Sequence, residues 1–117
     1  MKPAALQISH DQPKLGVAVI ALAGKVMLGA NTGAIAELVG SLLAQDIRKI
    51  VVDLEGVTHI DSTGIGVLIA SLGKVTQAGG TLALAGAGGV VREGFRVTRL
   101  DRVFRFYADR AAALDAL

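Results

Sequence analysis

Between residues 50 and 68 the chain changes its hydrophobic period once, and that change constrains most of what it can fold into. Ile50-Val51-Val52-Asp53-Leu54 is a short, nearly continuous apolar run rich in β-branched side chains, the pattern of a strand covered on both faces. Glu55-Gly56 reads as a tight connection to a further short extended piece. From there Ile65, Leu68, Ile69, Leu72 and Val75 recur three and four apart, which predicts a helix from Ser62 or Thr63 to Gln77. Ala78-Gly79-Gly80 supplies its stop. Asp61, Ser62 and Thr63 therefore fall at a helix start, where each can cap a backbone N–H that lacks a helical partner. Capping is the usual role of such residues, and spacing alone favours it. The same position suits a second use. Unpaired N–H groups and the positive end of the macrodipole favour an anion such as phosphate, and Gly64 and Gly66 would keep the first turn bare for a partner's backbone.

The flanking chain supplies the rest of an α/β unit. Ala4 to Ser9 reads as a first strand, ended by a turn at His10-Asp11-Gln12-Pro13-Lys14. Leu15 to Ala23 is an almost wholly apolar second strand, followed by a glycine-punctuated loop from Gly24 to Gly33. Asn31 or Thr32 can cap the helix that follows to about Gln45, with Ile35, Leu38, Val39, Leu42 and Leu43 on one stripe. Strand, helix and strand make a crossover, which favours parallel pairing. Thr81 to Ala85 is a further strand, and Val90 to about Leu100 a third helix interrupted by Gly94. Arg102 to Tyr107 reads as an edge strand and Ala108 to Leu117 as a closing helix. Arg92, Arg96 and Arg99 form a basic stripe on the third helix, diluted by Glu93, Asp101 and Asp109.

Composition narrows the function. At 117 residues the chain is expected to form one domain over residues 1–117, and with one Tyr, three Phe and no Trp its core must be aliphatic. It has no cysteine, and His10 and His59 are too few and too far apart to build a metal site, so neither metal nor cofactor is expected. A net charge of +2 argues against direct nucleic-acid binding. Ser62 to Gly73 is too short to span a membrane and no secretory segment precedes it, so a cytoplasmic protein without membrane insertion is expected. No catalytic constellation assembles. There is no Gly-x-Ser-x-Gly elbow, and His59, Asp61 and Ser62 lie too close in sequence for a relay. Gly86-Ala87-Gly88-Gly89 fits a dinucleotide loop poorly, because Val91 occupies the third glycine place. The expectation is a protein that is not an enzyme.

The run Ile50-Val51-Val52-Asp53-Leu54, then Val57-Thr58-His59-Ile60-Asp61-Ser62-Thr63-Gly64-Ile65-Gly66-Val67-Leu68, resembles the signature of the STAS-domain family, which includes bacterial anti-sigma factor antagonists. The likeness continues through Gly79-Gly80-Thr81-Leu82-Ala83-Leu84, Val97-Thr98-Arg99-Leu100 and Val103-Phe104 to the alanine-rich end. It implies a small mixed sheet of four to five strands with helices mainly on one face. It also implies a phosphorylatable serine at Ser62, with Thr63 as the second choice. The implied partners are an anti-sigma factor with serine kinase activity and a phosphatase. The implied partner surface holds Lys25, Met27, His59, Asp61, Ser62, Thr63, Gly64, Ile65 and Gly66. Gly24-Lys25-Val26-Met27 stands where the best-known antagonists carry Gly-Glu-x-Asp, so a cation and a thioether replace two acids. The alternative within the family is an unphosphorylated adaptor subunit of a transporter or signalling complex, and a small-ligand binder ranks third. An exposed edge strand would permit a homodimer.

Overall fold

The computed structural model describes residues 6–117. The apolar run at the middle of the sequence becomes the middle strand of a five-stranded sheet whose spatial order follows the chain. The strands are β1 (Leu6–Lys14), β2 (Val17–Val26), β3 (Lys49–Ile60), β4 (Thr81–Ala85) and β5 (Arg105–Tyr107). β1 and β2 form an antiparallel hairpin, and the remaining neighbours are parallel. Parallel neighbours need crossovers, supplied by α1 (Gly33–Ala44), α2 (Ser62–Gln77) and α3 (Gly89–Val97). A short α4 (Arg110–Ala116) follows β5. The expected mixed α/β sheet is the one found.

Strand alternation sorts the core into two layers. Ile20 and Leu22 of β2, Ile50, Val52 and Leu54 of β3, and Leu82 and Leu84 of β4 point to one face. There they meet Ile35, Val39 and Leu42 of α1, Ile65, Leu68 and Val75 of α2, and Val91 and Phe95 of α3. Val19, Val51 and Ala85 point to the other face, which α4 covers with Ala113. Three helices thus share one side of the sheet and α4 takes the other. The α4 side carries one buried carboxylate. Asp53 Oδ2 accepts from Arg110 at 3.0 Å and its Oδ1 from the Glu55 N–H at 3.0 Å, so burial leaves it hydrogen-bonded.

Several expectations are corrected, including two strand ends: β2 runs on to Val26 where a loop is expected from Gly24, and β5 starts at Arg105 rather than Arg102. His10 to Lys14 is strand, not turn, and the chain reverses at Leu15-Gly16, with Gly16 at φ +77°. Pro13 is tolerated because β1 is an edge strand, and the ladder breaks register between Asp11 and Lys14, around the residue that cannot donate. The opening residues of that expected strand, Ala4 and Ala5, lie outside the described residues. Glu55-Gly56 is not a connection either. β3 continues through it with a shift of register against β2 between Asp53 and Gly56, and Gly56 is needed because a Cβ there would come within 2.8 Å of the Ala23 Cβ on β2. Thr32 makes no side-chain cap at α1, whose start is closed by backbone bonds such as Ala34 N–H to Asn31 O and Ile35 N–H to Thr32 O. α3 ends at Val97 rather than Leu100. The Thr98 hydroxyl donates back to the Gly94 carbonyl at 2.9 Å, and Arg99 turns into the left-handed region at φ +61°.

Candidate functional site

One residue, Asp61, separates the end of β3 from the start of α2, and it is held from four directions. Its backbone is extended, with φ −122° and ψ −174°. Its N–H donates to the Val26 carbonyl at the end of β2, and its carbonyl accepts the Ile65 N–H at 2.9 Å. Its Oδ1 accepts from the Gly64 N–H at 3.0 Å, the geometry of a helix cap. Its Oδ2 accepts from the Leu28 N–H at 3.0 Å, across to the segment that leads from β2 to α1. These two donors, Leu28 before Gly64, hold the carboxyl below the ordinary aspartate range. Asp61 therefore caps α2 and at the same time pins a second loop to it.

The cap being occupied, the hydroxyl beside it is left over. Ser62 is exposed, and among the described residues no side-chain hydrogen bond involves its Oγ. Thr63 is half-buried. The two readings of the Asp-Ser-Thr block are thus divided between neighbours, with Asp61 taking the cap.

The glycines of the block also divide. Gly64 is buried, and a Cβ there would come within 2.0 Å of the Val26 carbonyl oxygen, so it lets α2 lie directly on β2. It is a packing position, which corrects the expectation that it keeps the surface bare. Gly66 is exposed with nothing near its missing Cβ. No contact among the described residues accounts for it. Ile65 is also buried, at 3 % exposure, and its side chain floors a groove between α2 and α3 rather than standing on the surface.

That groove has a volume of about 250 Å³ and runs from Asp61 and Ser62 to Glu93, Val97 and Thr98. Gly94 explains why α3 comes so near: a Cβ would reach 3.2 Å from Cγ2 of Ile60. Lys25 and His59 are both exposed and stand opposite each other in the β2–β3 register, just before the strands deliver Asp61. His59 Nδ1 is 2.9 Å from the Thr58 hydroxyl, which donates to the Gly24 carbonyl. Met27 is half-buried, and its neighbour Leu28 is 80 % exposed although its N–H is bound to Asp61. Leu28 escaped the sequence reading. Its leucine sits in a glycine-rich stretch with no period to mark which side chains face water.

Among the described residues no group of three or more His, Asp or Glu side chains is placed to hold a metal, and no helix is long and apolar enough to cross a membrane. What the site offers is an exposed alcohol at the positive end of a sixteen-residue helix, beside an ionised carboxylate and above an apolar groove.

Known proteins share this architecture. The anti-sigma-F factor antagonist RsfB of Mycobacterium tuberculosis is 29% identical over 99 residues, covering 85% of this chain and 80% of that protein. The crystal structure of an anti-sigma factor antagonist from Mycobacterium paratuberculosis superposes with a TM-score of 0.83 at 24% identity, over 98% of this chain and 96% of that one. The Bacillus cell fate determinant SpoIIAA in its phosphorylated form gives a TM-score of 0.74 at 19% identity, over 94% and 98%. At these identities the two structural likenesses speak for the fold. The STAS domain profile matches residues 11–113, from the edge strand to the last helix, and the chain belongs to the STAS domain family.

Proposed function

We propose that this chain is an anti-sigma factor antagonist switched at Ser62. Unphosphorylated, it binds an anti-sigma factor that has serine kinase activity, and so frees a sigma factor in the cytoplasm. The kinase then transfers the γ-phosphoryl group of ATP to Ser62 Oγ, the hydroxyl proton passes to a base on the kinase, and ADP leaves. The modified chain dissociates until a phosphatase hydrolyses the ester. In this cycle the chain is ligand and substrate and catalyses nothing itself.

The observation that carries the reading is the division of labour at the start of α2. Asp61 uses both carboxylate oxygens on backbone N–H groups, and Ser62 keeps an exposed hydroxyl. The likeness to RsfB, named an anti-sigma-F factor antagonist, supports the partner class. That SpoIIAA has a phosphorylated form supports the modification. Phosphate would add about −1.5 to −2 charges beside the Asp61 carboxylate. The helix start tolerates that charge, but a partner covering it must strip its water and face two like charges. The expected cost to binding is about 3 kcal/mol, roughly a hundredfold in Kd.

The test is incubation with the serine-kinase anti-sigma factor of the same cell and ATP, followed by peptide mapping. One phosphate on Ser62, absent from Ser62→Ala, supports the reading. A kinase that binds the chain and leaves Ser62 unmodified, with Ser62→Asp binding as well as wild type, would point instead to an unphosphorylated adaptor of a transporter or signalling complex.

A further inference from the structure

Six of the seven arginines fall between Arg92 and Arg110, and the fold gives work to only three of them. Arg110 is bound to the buried Asp53, and Arg92 lies over the Phe106 ring at 3.9 Å. Arg96 is bound through two nitrogens to Glu93 one turn earlier on α3. Arg99, Arg102 and Arg105 are exposed and form no ion pair among the described residues. Arg99 and Arg102 stand with Arg96 and Asp101 around a cleft of about 400 Å³ at the end of α3.

Arg99 also occupies a backbone position that does not suit it. α3 closes with the Arg99 N–H on the Arg96 carbonyl at 3.0 Å and the Leu100 N–H on the Phe95 carbonyl at 2.8 Å. That closure puts Arg99 at φ +61°, where glycine is the preferred residue. The backbone asks for glycine there, and the side chain present is a guanidinium without an ion pair among the described residues. Guanidinium forks match carboxylates in pairs.

The cleft adjoins the groove beside Ser62. Glu93 lines the groove and Arg96 the cleft, and their ion pair is the wall between them. Thr98 lines the groove and Arg99, the next residue, lines the cleft. We infer that the Arg96–Arg99–Arg102 cleft receives an acidic segment of the same partner that seats on Ser62. The inference rests on Ser62 being a partner contact. It adds a second contact region, about which the helix start says nothing, and it gives the partner a defined chemistry there: two or more carboxylates in sequence.

The experiment measures binding of the purified kinase partner to the full chain carrying Arg99→Gly with Arg102→Ala. Glycine relieves the left-handed backbone, so the thermal midpoint should not fall, and a loss of binding cannot be laid to misfolding. Affinity should drop about tenfold at about 50 mM salt, mainly through slower association, and only about twofold at about 500 mM, where exposed charges are screened. Arg99→Glu should lower it further. Binding within about twofold of wild type at low salt, with Ser62→Asp still releasing the partner, overturns the cleft and leaves the Ser62 switch standing. If Ser62→Asp binds like wild type, the switch itself fails, and the cleft inference that rests on it falls too.

Discussion

At the starts of α2 and α4 an aspartate in extended conformation accepts a hydrogen bond from the third helical N–H, Asp61 from Gly64 at 3.0 Å and Asp109 from Ala112 at 2.9 Å. The residue after each cap has the opposite fate. Arg110 turns inward to the buried Asp53 and fastens α4 to the sheet, whereas Ser62 is exposed and its hydroxyl has no side-chain hydrogen bond among the described residues. The third helical residue differs as well. Ala112 is accommodated at α4, but only glycine fits at Gly64, because α2 lies on the Val26 carbonyl. Asp61 further spends its second oxygen on Leu28, for which Asp109 has no counterpart among the described residues. One local motif therefore serves either to close a fold or to present a hydroxyl, and tertiary contacts decide which.

Substitutions at matched positions sharpen this contrast. The largest effect is expected from Gly64→Ala, whose Cβ would meet the Val26 oxygen and push α2 off β2. Urea unfolding should show a loss of about 3 kcal/mol, while Gly66→Ala, in open space, should gain about 0.5 kcal/mol from helix propensity. Equal effects would mean that the close approach is relaxed in solution. Next comes the residue after each cap. Arg110→Ala leaves the Asp53 carboxylate buried without its cation and should cost about 2 kcal/mol, less than a fully buried pair because the guanidinium is partly exposed. Ser62→Ala should stay within about 0.5 kcal/mol of wild type, and a larger loss would assign Ser62 a structural role.

The smallest effect is a pH dependence. The folded-state pKa of Asp61 is lowered below 3.8, by the Leu28 N–H first and the Gly64 N–H second. A depressed carboxylate contributes its stability in full above the unfolded value and loses it as pH falls through the lower folded value. Asp61→Asn should therefore flatten the acid limb of the unfolding midpoint below about pH 4, measured by denaturant titration across pH. An unchanged acid limb would place the proton linkage elsewhere.

Much of the fold was legible because hydrophobic period carries it. α2 and β4 lie where the spacing of Ile65 to Val75 and of Thr81 to Ala85 put them. The misreadings share a cause: residues whose usual local meaning was reversed by a neighbour in space. Pro13 reads as a stop and is strand because its missing donor lies at an edge. Gly56 reads as a turn and lies in a strand, where the nearby Ala23 Cβ leaves no room for a side chain. Arg99 reads as one more member of a helical stripe, and nothing in its side chain announces a left-handed backbone. The site was legible as a block and not as roles. Asp61, Ser62 and Thr63 all cap helices, so only the position of the Leu28 and Gly64 N–H groups separates the cap from the free hydroxyl.

The most direct measurement compares partner binding by the unmodified protein and by the protein phosphorylated at Ser62, using calorimetry, while amide shifts of Leu28 and Gly64 report the Asp61 cap. Phosphorylation should lower affinity roughly a hundredfold with both amides still hydrogen-bonded. Equal affinities, or a loss accompanied by release of the Leu28 and Gly64 amides, would contradict it. In that event the hydroxyl and the cap are not separate devices.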